Sequence, residues 1–187
     1  MKNLDKAVVL LAQADKASAL DDKKDALSTI YDLSARLIFS TAYAVTGNYQ
    51  DAEDVLQDTF LDISKYAHRF TGKGAKTWIL TITRHLAINV LRKRRPTVEL
   101  DETMKFSDDY SNLEVFDMLN RLDDDERQIV TYRVYAKMPY KEIAAIMEMT
   151  VANAQKKYQR AILKLREEYS HDKIKKSSKP IGLNTVT

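Results

Sequence analysis

One short segment carries a row of carboxylates at helical spacing. Its aspartates recur every three or four residues and so share one face of a helix; they are Asp51, Asp54, Asp58 and Asp62. Aspartate is a poor helix former, so four on one face indicate a role beyond solubility. A protein-binding surface fits best. A metal site and a merely solvated face stay open, although no histidine stands at ligand spacing and no calcium loop with glycine is present.

A second segment combines basic, aromatic and amide side chains. Residues 63–98 contain nine basic residues and no acidic one. Unstacked bases rest on aromatic rings while cations follow the phosphate backbone, so this composition suits an unpaired DNA strand. Core packing is the alternative for Phe70 and is favoured for Trp78. A charged helix end is the alternative for Arg92 and the bases that follow it.

A third segment predicts a helix-turn-helix. Its helices cover residues 140–147 and 150–168, with a tight turn between them. Amides and arginine can form paired hydrogen bonds with purine edges in the major groove, and lysines can bind phosphates. The second helix presents such side chains on one polar face: Asn153, Gln155, Lys156, Lys157, Gln159 and Arg160. An ordinary helical hairpin with a charged outer face is the alternative.

The composition excludes several classes of protein. The chain has 187 residues, of which 44% are hydrophobic and 30% charged, enough for one ordinary domain or two small ones. It has no cysteine and only three histidines, far apart in sequence, which excludes disulfides and thiolate chemistry. We therefore expect no catalytic residue, no metal and no cofactor. Because no apolar run could cross a bilayer, we expect a cytoplasmic protein without membrane insertion.

Helical periodicity and charge together predict the organisation. Residues 51–62 carry five acids and no base, whereas residues 98–117 carry seven acids and one base. We predict an all-α fold of two small helical domains joined by an acidic linker. The predicted limits are 1–26 for an N-terminal extension, 27–97 for the first domain, 98–112 for the linker, 113–169 for the helix-turn-helix domain and 170–187 for a basic disordered tail.

Local signals predict where helices begin and end. Gly47 should stop a helix over 27–45; in the second domain, Asp123-Asp124-Asp125 should form the N-cap region of one helix and Thr150 should cap the last. Pro139 suits the first position of a helix. The helical period also places Leu33 and Val134 in the core.

Two motifs resemble a known family. The run TGNYQDAEDVLQDTF at residues 46–60 closely resembles region 2 of the extracytoplasmic-function (ECF, group 4) sigma factors, and the Thr77-Trp78 pair continues the likeness. The run YKEIA at residues 140–144, followed by Leu165-Arg166, resembles region 4 of the same family. Glu148 stands where the family usually has a turn glycine. The likeness covers about residues 27–168, in the family's order.

The resemblance implies a promoter-specificity subunit that is not itself an enzyme. Its region 2 would bind core RNA polymerase and recognise and melt the minus-ten element, and its region 4 would read the minus-thirty-five element. The implied polymerase-binding residues are Asp51, Asp54, Val55, Gln57 and Asp58. The implied minus-ten residues are Phe70, Lys73, Lys76, Arg84, His85, Asn89 and Arg92. The residues implied for the minus-thirty-five element are Asn153, Gln155, Lys156, Lys157, Gln159 and Arg160.

The implied partners are core RNA polymerase, promoter DNA both as duplex and as melted non-template strand, and an anti-sigma factor. Two other functions compete with this interpretation. A stand-alone helix-turn-helix regulator explains the second domain but leaves the acidic face and the linker without a role. A helical adaptor that only bridges proteins would not bind promoter DNA.

Overall fold

The computed structural model describes the backbone of residues 2–17, 20–93 and 118–177, and the side chains of 3–14, 21–93 and 118–167. Most of these residues are helical and none of them is in a strand, which confirms the predicted all-α fold. No helix in the described ranges has the length and apolarity of a membrane span. The predicted acidic linker, 98–112, lies outside the described residues.

Four helices and a short 3-10 turn form the described part of the first unit. They are α1 (Lys2–Ala17), α2 (Leu20–Thr46), α3 (Tyr49–Tyr66), the turn Ala67–Arg69 and α4 (Ala75–Lys93). Their apolar faces meet in a core where Val8, Ile30 and Ile63 are fully buried. α1, which lies in the predicted N-terminal extension, therefore contributes to the same core as the rest of the unit.

Residues at the α2–α3 junction explain why one helix stops and the next starts. Gly47 has a φ of 63°, a conformation that glycine adopts without strain. Asn48 then caps α3, since the Asp51 N–H donates to Asn48 Oδ1 at 3.0 Å. At its other end α2 begins at Leu20 rather than at residue 27, and so the predicted limit between residues 26 and 27 falls inside one continuous helix.

The second unit is a helix-turn-helix preceded by another helix. It consists of α5 (Asp124–Val130), a wide π-helical turn (Thr131–Tyr135), α6 (Tyr140–Ile146) and α7 (Val151–Ser177). Within the predicted capping region Asp123-Asp124-Asp125, Asp123 is the residue that caps α5, because its Oδ1 accepts from the Glu126 N–H at 2.9 Å. Thr150 likewise caps α7, accepting from the Asn153 N–H at 3.2 Å.

The two ends of α6 differ slightly from expectation. Pro139 was predicted to be the first helical residue, but its ψ of 149° makes it the residue that precedes α6. Glu148 has a φ of 54°, so the turn keeps the left-handed conformation in which glycine would be unstrained. The turn geometry is thus maintained without the residue that best suits it.

Three further expectations were wrong. Leu33 is 47% exposed and Val134 is 55% exposed, although both were predicted to be core residues. The wide turn explains Val134, because a π-helical turn holds an extra residue and rotates the following side chains away from the expected face. The disordered tail was predicted from residue 170, yet α7 continues to Ser177; residues 178–187 lie outside the described ranges.

The two units pack directly against each other. Leu37 of α2 and Leu80 of α4 join the hydrophobic cluster built around Ile129, Tyr132 and Ile143 of the second unit. Arg127 reinforces the contact, since its Nε donates to the Ala44 carbonyl at 2.8 Å in a buried environment. This packing matters for the sites below, because it places the second unit over part of α4.

Candidate nucleic-acid and polymerase interfaces

The acidic row on α3 forms a surface facing solvent. Asp54, Gln57 and Asp58 are exposed, and Asp51 is half-buried near the capped start of the helix. Val55, predicted with them, is fully buried in the cluster that contains Ala52, and it therefore anchors α3 instead of contacting a partner. Nowhere in the described part of the chain do three or more acidic or histidine side chains converge as a metal site would require.

The C-terminal end of α3, the turn after it and the middle of α4 enclose a groove of about 320 Å³. Aromatic, basic, amide and aliphatic side chains line it together with one carboxylate: Asp62, Tyr66, Arg69, Trp78, Ile82, His85, Leu86 and Asn89. The Arg69 guanidinium lies 4.9 Å from the centre of the Tyr66 ring, an arrangement that combines a flat apolar face with a positive charge. The groove therefore offers an aromatic ring and a positive charge side by side, the features that binding of an unstacked base and its phosphate would need.

Sequence reasoning placed only part of this groove. Tyr66 was missed because it precedes the basic loop and belongs to α3. Its spacing of three residues from Arg69 was a usable signal, since an aromatic ring and a cation three apart at a helix end face the same way. Phe70, which was predicted, lies beside Trp78 with ring centres 5.5 Å apart, and both rings pack partly on the core.

Three of the predicted minus-ten residues are in contact with the second unit. Lys76 Nζ donates to the Ala136 carbonyl at 2.8 Å, and Arg84 Nε donates to Gln128 Oε1 at 3.0 Å. His85 Nε2 lies 3.7 Å from Glu148 Oε1. Thr77, between them, donates to Glu142 Oε2 at 2.9 Å. The second unit thus covers one side of α4 from its first turn to its middle.

The other minus-ten residues are outside this contact. Lys73 is exposed on the loop before α4, and Asn89 and Arg92 are exposed near its end. Arg92 Nη2 donates to Asn89 Oδ1 at 3.0 Å, which holds the two side chains together as a pair. α4 is therefore contacted by the second unit from its first turn to its middle and open near its C-terminal end, and Lys73 is exposed on the loop before it.

Arg84 also approaches a buried tyrosine of the second unit. Tyr132 is fully buried, and burial raises the pKa of its hydroxyl, while the Arg84 guanidinium acts in the opposite direction. Tyr132 therefore stays neutral, and it contributes apolar packing beside a cation drawn from the first unit.

The polar face of α7 is largely open. Asn153, Gln155, Lys156, Gln159 and Arg160 are exposed, and their spacing places them along one side of the helix. Lys157 is different: its Nζ lies 2.8 Å from Asp125 Oδ2 on α5. The hydrogen bond with Asp125 raises the pKa of Lys157 against the opposing effect of its burial. Lys157 therefore ties α7 to α5, and its charge is partly neutralised.

Asp123 belongs to the same group of charges. Burial pushes its pKa upward, but the hydrogen bond from the Glu126 N–H and the nearby Lys164 and Lys157 ammonium groups hold it below its usual value. Lys164 lies 3.5 Å from Asp123 Oδ2 and also contacts Glu126. These contacts fix the angle at which α7 leaves the turn.

Comparison with known families matches both units. Residues 30–97 match Sigma-70 region 2, and residues 112–165 match Sigma-70 region 4. The two matches occur in the predicted order, with the predicted linker region between them. Residues 1–29 lie outside both.

The relatives that this chain resembles are sigma factors of one class. The ECF RNA polymerase sigma factor SigM of Bacillus subtilis is 23% identical over 155 residues, covering 77% of this chain and 95% of that protein. SigW of the same organism is 30% identical over 79 residues, 42% of each chain. BldN of Streptomyces coelicolor is 25% identical over 138 residues, covering 66% of this chain and 52% of that protein.

Solved structures share the arrangement of helices. CnrH, in complex with the cytosolic domain of CnrY, superposes with a TM-score of 0.64 at 22% identity, covering 89% of this chain and 99% of that one. RpoE from Bartonella quintana, in complex with the anti-sigma factor NepR, superposes with a TM-score of 0.65 at 23% identity, covering 80% and 96%. Two matched regions in order, relatives of one class and a common fold lead to one conclusion. The chain belongs to the extracytoplasmic-function family of RNA polymerase sigma factors and is a promoter-specific initiation factor of that enzyme.

Proposed function

We propose that three surfaces divide the work of initiation. The exposed face of α3, with Asp54, Gln57 and Asp58, binds core RNA polymerase. The groove and the α4 surface take the melted non-template strand of the minus-ten element. The polar face of α7 reads the minus-thirty-five element as duplex. Polymerase supplies the catalysis, in the cytoplasm, and this chain supplies the choice of promoter.

One observation carries the division most directly. A groove with a cation over an aromatic ring, at Arg69 and Tyr66, lies on one unit, and an exposed amide and arginine face lies on the other. Stacking of an unpaired base on an aromatic ring contributes about 1–3 kcal/mol, which offsets part of the cost of opening the duplex. Paired hydrogen bonds from Gln155, Gln159 or Arg160 distinguish base pairs in the major groove.

The covered middle of α4 adds a requirement. Lys76 and Arg84 are partly buried and engaged by Ala136 and Gln128, so they are held away from DNA in this arrangement, whereas His85 stays more than half exposed beside Glu148. The two units must therefore separate before the strand is bound. We propose that polymerase, by holding α3 and α7 on distant sites, stabilises the separated form, and that an anti-sigma factor binding both units stabilises the closed one. The similar structures are themselves complexes, CnrH with the cytosolic domain of CnrY and RpoE with the anti-sigma factor NepR.

Run-off transcription tests the proposal. A target promoter is first mapped from the 5′ ends of transcripts that appear on overproduction. Core polymerase with this chain should then initiate at that promoter, and core polymerase alone should not. Because several phosphates are contacted, binding should weaken steeply with salt, by about a thousandfold between 50 and 200 mM. No initiation by the reconstituted holoenzyme would refute the proposal, and a promoter footprint made by the chain alone would favour a stand-alone regulator.

A further inference from the structure

A side chain from the N-terminal helix caps the helix that carries the minus-ten residues. Asp5 Oδ1 accepts a hydrogen bond from the Ala75 N–H at 2.7 Å, across 70 positions of the chain. Ala75 is the first residue of α4, and the first N–H groups of a helix have no acceptor within the helix itself. A carboxylate at this end also interacts favourably with the helix dipole.

The residue before α4 provides no side-chain cap for this helix end. Gly74 precedes α4 and has no side chain. Its φ of 79°, like the 89° of Gly72, belongs to a conformation that glycine adopts without strain. The loop between Phe70 and Ala75 is thus short of internal restraint, because glycines lose the most conformational freedom when a chain is ordered.

α1 supplies the missing restraint at two more points. A Cβ built on Gly72 would stand 3.9 Å from Val9 Cγ2, so the α1 surface lies directly beneath the loop. Phe70, at the other end of the loop, packs against the cluster that contains Leu4, Val8 and Leu11. One helix therefore underlies the loop from Phe70 to the start of α4.

We infer that Asp5 is a positioning residue for minus-ten recognition, and that α1 belongs functionally to the strand-binding site although it lies outside residues 30–97 that match region 2. The inference rests on the proposed function of the α4 surface. Asp5 holds the loop in the conformation that presents Phe70, Lys73 and Lys76, so less freedom is lost when an unpaired strand binds. Loss of the hydrogen bond should weaken strand binding without affecting the polymerase face on α3.

The experiment compares variants as holoenzymes with core polymerase. Asp5→Ala removes the acceptor, Asp5→Asn keeps an acceptor oxygen without the charge, and Asp21→Ala removes an exposed carboxylate from the first turn of α2. The probe is a fluorescent single strand with the minus-ten sequence of a mapped promoter. Affinity should fall about three- to tenfold for Asp5→Ala, the range expected for one hydrogen bond. Asp5→Asn should recover most of the loss, and Asp21→Ala should match the wild type.

Two further measurements separate positioning from simple stability. Binding is measured below the onset of thermal unfolding of each variant, and affinity for core polymerase and for minus-thirty-five duplex is measured in parallel. A loss confined to the single strand supports the inference. Equal losses on all three ligands, or a lowered unfolding temperature with unchanged strand affinity, would overturn it. If the wild-type holoenzyme binds no strand and initiates at no promoter, the proposed function itself fails. If the wild type binds the strand and Asp5→Ala binds it equally well, only the inference about Asp5 fails.

Discussion

The α4 surface and the α7 surface carry similar chemistry in different states of access. Both combine amides with basic side chains on one face of a helix. On α7, five of the six predicted residues are exposed, whereas on α4 the central three contact the second unit. Under the proposed function, the difference teaches that duplex reading would need only a rigid exposed helix, whereas strand capture would depend on a change in how the units pack. The variants below test this difference.

The largest effect should come from weakening the binding of the whole chain to core polymerase, because the α4 and α7 surfaces are then lost from the polymerase together. Asp54→Lys reverses a charge in the middle of the exposed acidic face of α3. Core polymerase affinity should fall at least about tenfold, since like charges placed across an interface cost several kcal/mol. Titration of labelled protein with core enzyme measures the change. Asp21→Lys, with the same change of charge on α2, is the control, and unchanged affinity for Asp54→Lys would contradict the role of this face.

Within α7, the open and the paired cations should behave differently. Arg160→Ala should lower affinity for the minus-thirty-five duplex about tenfold or more and relax preference at one base pair, because a paired contact contributes about 1–3 kcal/mol of discrimination. Lys157→Ala should change DNA binding less, and it should remove at most about 1 kcal/mol of stability through loss of the Asp125 pair. Anisotropy with single-base variants of the duplex measures both. If Lys157→Ala loses more affinity for the duplex than Arg160→Ala does, Lys157 itself contacts DNA.

The cover over α4 can be weakened without changing a predicted DNA contact. Gln128→Ala with Glu142→Ala removes the partners of Arg84 and Thr77. Each hydrogen bond contributes about 0.5–1.5 kcal/mol, so the loss of both should favour the separated form by at least about fivefold. The chain has no cysteine, and dyes on cysteines introduced at exposed Ser28 and Ala145 would report separation by reduced energy transfer.

The free double variant should also bind the minus-ten strand more tightly than the free wild type, while the two holoenzymes should be alike. Glu167→Ala, at an exposed acid on α7, is the control. Equal energy transfer and equal strand affinity in the double variant would mean that the cover does not limit access.

The smallest expected effect is a pH dependence that belongs to the second unit alone. Asp123 has a lowered pKa in the folded state, below the ordinary value of 3.8. Its stabilising contribution is therefore present above that ordinary value and is lost as the pH falls through the lower, folded pKa. Thermal unfolding between about pH 2 and 6 should show a shallower acid decline for Asp123→Asn, which keeps a capping oxygen. Identical acid limbs for variant and wild type would contradict this assignment.

Local signals explain why much of the fold was predictable. Gly47, Asp123 and Thr150 act on backbone groups within four residues of themselves, and the structure places each at the expected helix end. The exposed acids of α3 followed from the same short-range periodicity. Pro139 was misplaced by one position, because it adopts a cap conformation and not a helical one. Val134 was assigned to the wrong face, because the wide turn shifts the helical register. Neither feature has a clear mark in the sequence.

The sites were less predictable where neighbours in space decide the role. Lys156 and Lys157 are adjacent and identical in type, yet only Lys157 turns toward Asp125, since successive residues of a helix point about 100° apart. Val55 lies among the acids in sequence but is buried against another helix. Tyr66 became part of the groove through its contact with Arg69 and the nearness of Trp78.

The sequence by itself determined the helices, most of their ends, the separation of acidic from basic faces and the polar face of α7. It could do so because capping and periodicity act over a few residues. Only the tertiary structure decided which of those faces are open. The bond between Arg84 and Gln128 joins residues 44 apart, and the cap that Asp5 places on α4 joins residues 70 apart. Such contacts depend on how packed helices come together, and no local pattern encodes them.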